Sequence, residues 1–504
     1  MLLSKPDITT LIVLSALVLL AALLTAVLSV ISGVTLAFRA RPSWFYGIAL
    51  AALFLPFASG SSVWAFSVSR FSDWIGLKSG LVASGTLERA SALLILSLAR
   101  SVPLGTFFCA TFLHRYVSEF RAYVQVHALR FPLLLLCGVN RIPRSIVTLL
   151  GLFGGALLAA EASLPMFLYR ANPGTGPETA NIMLARLFRE VYATSGSRSI
   201  GEVASLGVIV AVVLVIAALA GLWTARGVLH VWRSLLRFTG GLPEWKDRAI
   251  LFTAVVPLIL TFLPSIICII GLTTHIPSGN MRALGIVESI ASYWGIVTSG
   301  VVIGSVITVC GIALAVRFRY SRRDYLFIIE RKSLAACLLM LPAFLPVLSI
   351  VALVGAITHG GLAGLPGYIS LFCCQIALHY SLFQFVTASV ISAVPEPRVA
   401  WQRSLRMRYS FSLLTDGLKR HASAVVALIG LGAVQVITDG SISRWFNHLV
   451  ASPEEAMYSA LFGRLSSASR AMIIARTVLG GAILMCGVLS AFYVRELKRE
   501  SRHA

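Results

Sequence analysis

The sequence predicts an all-α protein that crosses a membrane about eleven times. Three observations predict this fold class. The chain of 504 residues is 58% hydrophobic and only 12% charged, whereas soluble domains are typically about a quarter charged. Apolar runs of about twenty residues, long enough to span a bilayer core, recur along the whole chain. Basic residues are concentrated in alternate loops between those runs.

The apolar runs define the predicted spans in chain order. The first run is longer than the apolar core of a cleavable signal peptide, so we interpret it as a membrane span. Prolines within the runs, at Pro56, Pro103, Pro342 and Pro346, predict breaks midway along their helices. The predicted spans cover residues 10–32, 46–66, 89–113, 145–168, 201–224, 249–272, 293–316, 333–358, 366–391, 421–439 and 470–493.

The distribution of basic residues predicts the orientation of these spans. Of the 42 Lys and Arg residues, 28 lie in one set of alternate loops and in the C-terminal tail. The positive-inside rule places that set in the cytoplasm, with the N-terminus outside and the C-terminus inside. The net charge of +22 is therefore interpreted as a topology signal, and no nucleic-acid partner is expected. The cysteines lack zinc-ligand spacing, so no metal site is predicted.

A repeat is visible in two of the cytoplasmic loops, about 115–144 and 395–420. Leu129-Arg130 and Leu405-Arg406 are 276 residues apart, and the same offset aligns three further pairs: Asn140 with Asp416, Ile142 with Leu418, and Arg144 with Arg420. We infer two five-span units in parallel orientation, covering residues 1–240 and 291–504, with a connecting span and loop at 241–290. Both repeated loops then reach the same face of the membrane.

Few residues in the chain carry catalytic chemistry. No Gly-Lys dipeptide, H-E-x-x-H or G-x-S-x-G motif occurs, so we predict a conduit rather than an enzyme, without a cofactor. Four ionisable residues lie inside or at the ends of spans: Arg100, Glu161, His379 and Asp439. Such residues usually face a watery path or a charged partner. Two interpretations stay open: the four line a substrate path, or Arg100 and Glu161 form a structural ion pair while the other two are interfacial.

The repeated loops resemble the cytoplasmic EAA loops of ATP-binding-cassette importers, whose pattern is Glu-Ala-Ala, three residues, Gly, nine residues and Ile-x-Leu-Pro. When Pro143 is aligned with the final proline of the pattern, Val124 stands at the position of the Glu and Arg130 at that of the Gly. In the second copy, Ala400 stands at the Glu position and Arg406 at the Gly position. Five-span units with this loop between their third and fourth spans are similar to type I importer permeases. The run 338–356 also resembles that family's span before the loop, and two fused units resemble the iron(III) and thiamine importer group.

The resemblance implies a permease subunit in a bacterial inner membrane that receives iron(III) or thiamine from an external solute-binding protein. Polyamine, phosphonate and sulfate are the other substrates considered. ATP and Mg²⁺ would bind to two separate ATPase subunits docked on the loops, with the apolar residues 131–136 and 411–414 as buried anchors. The implied coupling residues are Leu129, Arg130, Phe131, Ile142, Pro143, Arg144, Leu405, Arg406, Met407, Leu418 and Arg420.

Other functions remain open at this point. An ion-coupled secondary transporter also uses parallel repeats, but it needs acidic groups at one depth, which the sequence alone does not display. An integral membrane enzyme or scaffold needs a clustered site or large soluble loops. The repeated loops also fit basic amphipathic segments that lie on the lipid surface.

Overall fold

A computed structural model describes residues 5–39, 43–75, 86–127, 131–142, 144–161, 200–239, 244–273, 293–320, 343–345, 364–392, 421–439, 453, 457 and 465–503. Every regular element in this part of the chain is an α-helix. The helices, numbered in chain order, are α1 (Lys5–Arg39), α2 (Trp44–Ala58), α3 (Ser61–Trp74), α4 (Thr86–His127), α5 (Phe131–Arg141), α6 (Arg144–Ala160), α7 (Ile200–Thr239), α8 (Glu244–Thr273), α9 (Trp294–Tyr320), α10 (Gly364–Ser392), α11 (Ala422–Thr438) and α12 (Leu465–His503).

The chain is a multi-pass helical membrane protein. Within the described residues, six helices are long and apolar enough to cross a membrane. Helices α2 and α3, bent by 100° at the break between them, count as a seventh crossing if the pair forms one span. The predicted fourth and tenth spans correspond to shorter helices, α6 and α11, of 17 residues each. Helix α10 covers the predicted ninth span. The predicted eighth span, 333–358, lies outside the described residues except for 343–345, so the total of eleven stays a prediction.

Two helices continue well beyond the predicted ends of their spans. Helix α4 runs to His127 and α7 to Thr239, although charge ended the predicted spans at 113 and 224. In α7 the extra turns are held by neighbouring backbone and side chains: Arg226 donates to the Thr148 hydroxyl at 2.8 Å, and Arg233 donates to the Val139 carbonyl at 3.2 Å. Charge marks where the hydrocarbon ends, whereas the helix continues as long as its backbone and side chains find partners.

The predicted break at Pro103 is wrong, because α4 is continuous through this residue. A proline removes one helical hydrogen bond, and a membrane helix survives the loss where neighbouring side chains supply polar contacts. Helix α1 makes polar contacts beside the proline: the hydroxyls of Thr25 and Ser101 are 2.8 Å apart, and Ser29 donates to the Val102 carbonyl at 3.2 Å. These contacts hold the adjoining turn of α4 and do not replace the hydrogen bond lost at the Ala99 carbonyl. Pro342 and Pro346 lie outside the described residues.

Helix α1 is the centre of the first group of helices and packs against α4, α6 and α7. Small residues let the backbones approach, as is usual in membrane bundles. Gly33 faces Cys109 on α4, and Gly221 on α7 faces the Leu19 carbonyl so closely that a methyl group would not fit at either glycine. The order of contacts along each helix shows that α1 and α4 run in the same direction and α6 in the opposite one.

Helix α9 has a comparable position in the second group and packs against α10 and α11, while α11 packs against α12. Gly304 on α9 lies directly against the backbone of α11 at Gly432. The two groups meet where α2 packs on α12, α4 on α10, and α3 on α11. Helix α8 packs beside α3 and α1. This central contact between the groups positions the charged residues described next.

Candidate functional site

Arg100 and Glu161 form a fully buried ion pair. Arg100 lies midway along α4, Glu161 directly follows α6, and each side chain is 1% exposed. Arg100 Nη1 donates to Glu161 Oε2 and to the Ser61 hydroxyl, at 2.8 Å in both cases. The guanidinium carbon also lies 6.0 Å from the centre of the Phe57 ring. A buried charge requires this kind of compensation, because its desolvation costs several kcal/mol, on the order of the whole stability of a fold.

His379 and Asp439 form a second close contact between ionisable side chains. His379 lies on α10, and Asp439 caps the C-terminal end of α11. His379 Nε2 is 3.1 Å from Asp439 Oδ2, without the alignment of a hydrogen bond at that nitrogen. The side chains are 7% and 12% exposed. Asp439 is thus half-buried against a histidine, which the interfacial alternative did not anticipate.

The two pairs belong to one cluster. Helix α4, which carries Arg100, packs against α10, which carries His379. The carboxylate of Asp439 lies within electrostatic range of the Arg100 guanidinium. All four ionisable residues selected from the spans therefore lie near one another, an arginine and a histidine with two acidic residues, at the contact between the two groups of helices. We call these four side chains the charge cluster.

A break between α2 and α3 lies beside the charge cluster. Pro56 has no N–H to donate to the Ala52 carbonyl, and the Ser265 hydroxyl donates to that carbonyl instead. Helix α2 ends two residues later, at Ala58, and Gly60, which directly precedes α3, has a φ of 78°, in the region that glycine adopts most readily. The Phe57 carbonyl, left near the break, accepts from the Gln435 amide. Polar neighbours therefore satisfy an irregular stretch of backbone inside a membrane bundle.

Helix α11 holds this break in position from the other group of helices. The Ser62 hydroxyl, in the first turn of α3, donates to the Thr438 carbonyl at the end of α11. The Thr438 side chain lies against the Cα of Gly60, where a larger residue would collide. Because Asp439 follows Thr438 directly and Ser61 precedes Ser62, the same contacts bring the end of α11 to the segment in which Ser61 accepts from Arg100. The sequence predicted this arrangement only in part. Pro56 indicated a break, but no pattern indicated that α11 packs against it.

Two further buried polar side chains lie one turn from the charge cluster. Ser97 precedes Arg100 on α4, Gln375 precedes His379 on α10, and each is 1% exposed. Neither the Ser97 hydroxyl nor either end of the Gln375 amide has a hydrogen-bond partner among the described residues. Buried polar groups are normally satisfied, so these two are suited to contact water or a solute. Their spacing of three and four residues from the ionisable residues could have identified them from sequence.

Within the described residues, no group of three or more His, Cys, Asp and Glu side chains could hold a metal ion. In the charge cluster, the guanidinium of Arg100 occupies the position beside Glu161. The chemistry available to the cluster is the making and breaking of ionic and polar contacts between the two groups of helices.

The first repeated loop is partly described and is helical. Leu129, Arg130 and Pro143 lie outside the described residues, and Phe131 begins α5. Ile142 is buried in the turn between α5 and α6, at 4% exposure. Arg144 begins α6 and is exposed. The five residues selected in the second loop, Leu405, Arg406, Met407, Leu418 and Arg420, also lie outside the described residues.

The predicted role of residues 131–136 as anchors for a partner is wrong for the last two of them. Leu135 is 0% exposed and Leu136 is 9% exposed within this chain. Helix α5 packs against α1 and α7, and Gly138 lies directly against Phe38 and Val34 of α1. The apolar face of an amphipathic helix is used here by the chain itself, which leaves the polar face for any partner.

Searches of protein families, of curated proteins and of solved structures gave no match to this chain.

Proposed function

We propose that the chain is the membrane-spanning permease subunit of an ATP-binding-cassette importer, with two equivalent halves in one polypeptide. It receives a small solute, iron(III) or thiamine, from an external binding protein in a bacterial inner membrane. Separate ATPase subunits supply the energy from the cytoplasmic side. The observation that carries the proposal is the charge cluster, because both groups of helices contribute equivalent elements to it.

The equivalence extends to the packing of whole helices. In the first group α1 packs against α4 and α6, and α6 packs against α7. In the second group α9 packs against α10 and α11, and α11 packs against α12. The Arg100–Glu161 pair joins α4 to the end of α6, and the His379–Asp439 pair joins α10 to the end of α11. One difference is that α1 packs extensively on α7, whereas α9 has no comparable contact with α12 among the described residues.

A further sequence match supports two related halves. Pro177-Glu178 and Ala180, between the predicted fourth and fifth spans, are repeated as Pro453-Glu454 and Ala456 between the tenth and eleventh. The offset is 276 residues, the same as for the two cytoplasmic loops. A single offset on both predicted faces of the membrane is expected from a duplicated unit and not from two independent basic loops.

The charge cluster lies where a path between the halves would pass. In the described conformation three of the four side chains are buried, Asp439 is half-buried, and Arg100 is paired with Glu161, so little space for a solute is left at this level of the contact between the halves. To open it, the halves must exchange these contacts for water or solute. Ser97 and Gln375, without partners in the described part of the chain, extend the polar surface along α4 and α10. This arrangement fits alternating access by movement of one half against the other.

The turn between α5 and α6 is the proposed attachment point for one ATPase subunit. Because α5 is packed into the chain through Leu135 and Val139, a force on this helix is transmitted to α1 and α7. The exposed side chain of Arg144 is available to a partner. An acidic or backbone acceptor on the ATPase would suit this arginine and its neighbours in the loop.

Charge reversal in both loops tests this attachment. The substitutions Arg130→Glu and Arg406→Glu, made together, are expected to reduce co-purification of the ATPase subunits at least tenfold, because like charges face each other across the contact. Membrane insertion should not change. Arg237→Glu, at an exposed arginine near the end of α7, is the matched control and should retain the ATPase. Equal ATPase recovery from both variants would argue against docking through the loops.

One observation favours a second candidate, an ion-coupled secondary transporter. Glu161, Asp439 and His379 were scattered in the sequence, but they lie together in the fold, as a proton relay would require. The two candidates separate in liposomes that contain this chain alone. Solute uptake driven by a proton gradient, and lost in Asp439→Asn, would favour the secondary transporter.

A further inference from the structure

A groove of about 610 Å³ lies on the outer surface of the bundle, between α2 and α12. Much of its lining consists of small residues: Gly47 and Ala51 from α2, and Gly487, Ser490 and Ala491 from α12. A side chain added at Gly487 would meet no atom within 4 Å, so the space beside it is open. The groove is therefore a mainly apolar slot between two apolar helices.

Basic and aromatic side chains lie together at one end of this groove. Arg495 and Lys498 are one helical turn apart, exposed, and part of its lining. Helices α2 and α12 run antiparallel. The C-terminal end of α2 contacts the C-terminal end of α11 through Phe57 and Gln435. The N-terminal end of α11 lies beside the C-terminal part of α12, where the His421 ring contacts the Phe492 ring. Trp44, at the start of α2, therefore lies at the end of the groove that carries the two basic residues.

These residue types are those expected where hydrocarbon gives way to lipid headgroups. Trp44 is 63% exposed and its neighbour Ile48 is 56% exposed. Tryptophan is enriched at the membrane interface, and basic residues near it attract anionic lipids. Glu496, the acidic neighbour of Arg495, is 7% exposed and does not line the groove. The headgroup end of the groove is thus positively charged, and the remainder fits a hydrocarbon chain.

We propose that this groove is a binding site for an anionic phospholipid. One acyl chain lies along the slot past Gly487 and Ala491, and the phosphate contacts Arg495 and Lys498. The site is independent of the proposed transport function, since it is built on the lipid-facing side of α2 and α12 and shares no residue with the charge cluster. Because α2 continues to the break at Gly60, lipid in the groove is packed against the helix that carries the break.

The test uses the full chain, purified in a zwitterionic detergent and titrated with phosphatidylglycerol or phosphatidylcholine, with bound lipid measured by native mass spectrometry. We expect saturable binding of phosphatidylglycerol at one site and at least tenfold weaker binding of phosphatidylcholine. The double variant Arg495→Gln/Lys498→Gln should bind phosphatidylglycerol about 30-fold less tightly, because each basic residue contributes a factor of about five near an anionic headgroup. Arg237→Gln is the matched control and should bind as the unmodified chain does.

A second variant tests the slot without altering charge. Gly487→Leu fills the open space beside α12 and should weaken phosphatidylglycerol binding while Arg495 and Lys498 remain. Glycerol 3-phosphate, which has the anionic group but no acyl chain, should neither bind nor compete. The proposal is overturned if phosphatidylcholine binds equally well, if glycerol 3-phosphate competes, or if neither variant changes phosphatidylglycerol binding.

Discussion

Replacing Glu161 with glutamine is expected to destabilise the folded chain by about 3–5 kcal/mol, the largest effect among the substitutions considered. Glutamine keeps the size and one acceptor oxygen of the residue but removes its charge. Arg100 would then be a buried cation beside a neutral amide, with Ser61 as its remaining close partner in the first group of helices. The free energy of unfolding, measured by titration with SDS in mixed micelles, gives the effect directly.

Two comparisons show whether the loss comes from an uncompensated buried charge. The pair Arg70 and Asp73 is a suitable control, because its atoms are 3.9 Å apart and its side chains are 17% and 26% exposed. Asp73→Asn should cost less than about 1 kcal/mol. The double variant Arg100→Met/Glu161→Leu removes both charges and should recover most of the lost stability. If the Glu161→Gln variant had the same free energy of unfolding as the unmodified chain, the buried ion pair would not be a source of stability.

The second large effect is expected at the break between α2 and α3. Gly60→Ala should destabilise the chain by about 1–3 kcal/mol, because a non-glycine residue is strained at a φ of 78°. The new methyl group would also collide with the Thr438 side chain. A shift of α11 away from the break would weaken the Ser62 and Gln435 contacts that join the two groups of helices. The same SDS titration measures the loss.

Gly227→Ala is the matched control for this substitution. Gly227 lies within α7, is exposed, and has nothing within 4 Å of the position that a methyl group would take. Alanine is the better helix former, so this variant should be slightly more stable, by about 0.5–1 kcal/mol. If Gly60→Ala lowers the free energy of unfolding and Gly227→Ala raises it, the loss at Gly60 arises from the break between α2 and α3. A loss of the same size in Gly227→Ala would contradict this explanation.

The positions of most helices could be predicted from the sequence because hydrocarbon thickness sets the length of an apolar run. The ends of the helices could not. Helix α7 continues past Arg226 and Arg233 because both side chains find acceptors on the α5–α6 segment. Likewise, Pro103 leaves α4 unbroken beside α1, while the helix containing Pro56 breaks at Gly60. These outcomes depend on partners that are distant in the sequence.

The members of the charge cluster could be selected from the sequence because an ionisable residue in an apolar run is conspicuous. Their proximity could not be derived from spacing, since the two pairs are far apart in the chain and are brought near each other only by the contact of α4 with α10 and of α3 with α11. Two of the anchors proposed in the first loop, Leu135 and Leu136, were wrong for a related reason. Periodicity shows that Leu135 and Leu136 lie on an apolar face, but not whether the same chain or a partner covers that face.

The central proposal is that this chain carries a solute through the membrane with energy from separate ATPase subunits. The most direct measurement is uptake of radiolabelled iron(III) or thiamine into liposomes that contain the chain together with its co-purified ATPase, with the external binding protein supplied and no ion gradient. The proposal predicts accumulation that requires internal ATP and is absent for the chain alone. Accumulation by the chain alone, driven by an imposed ion gradient and indifferent to ATP, would contradict it.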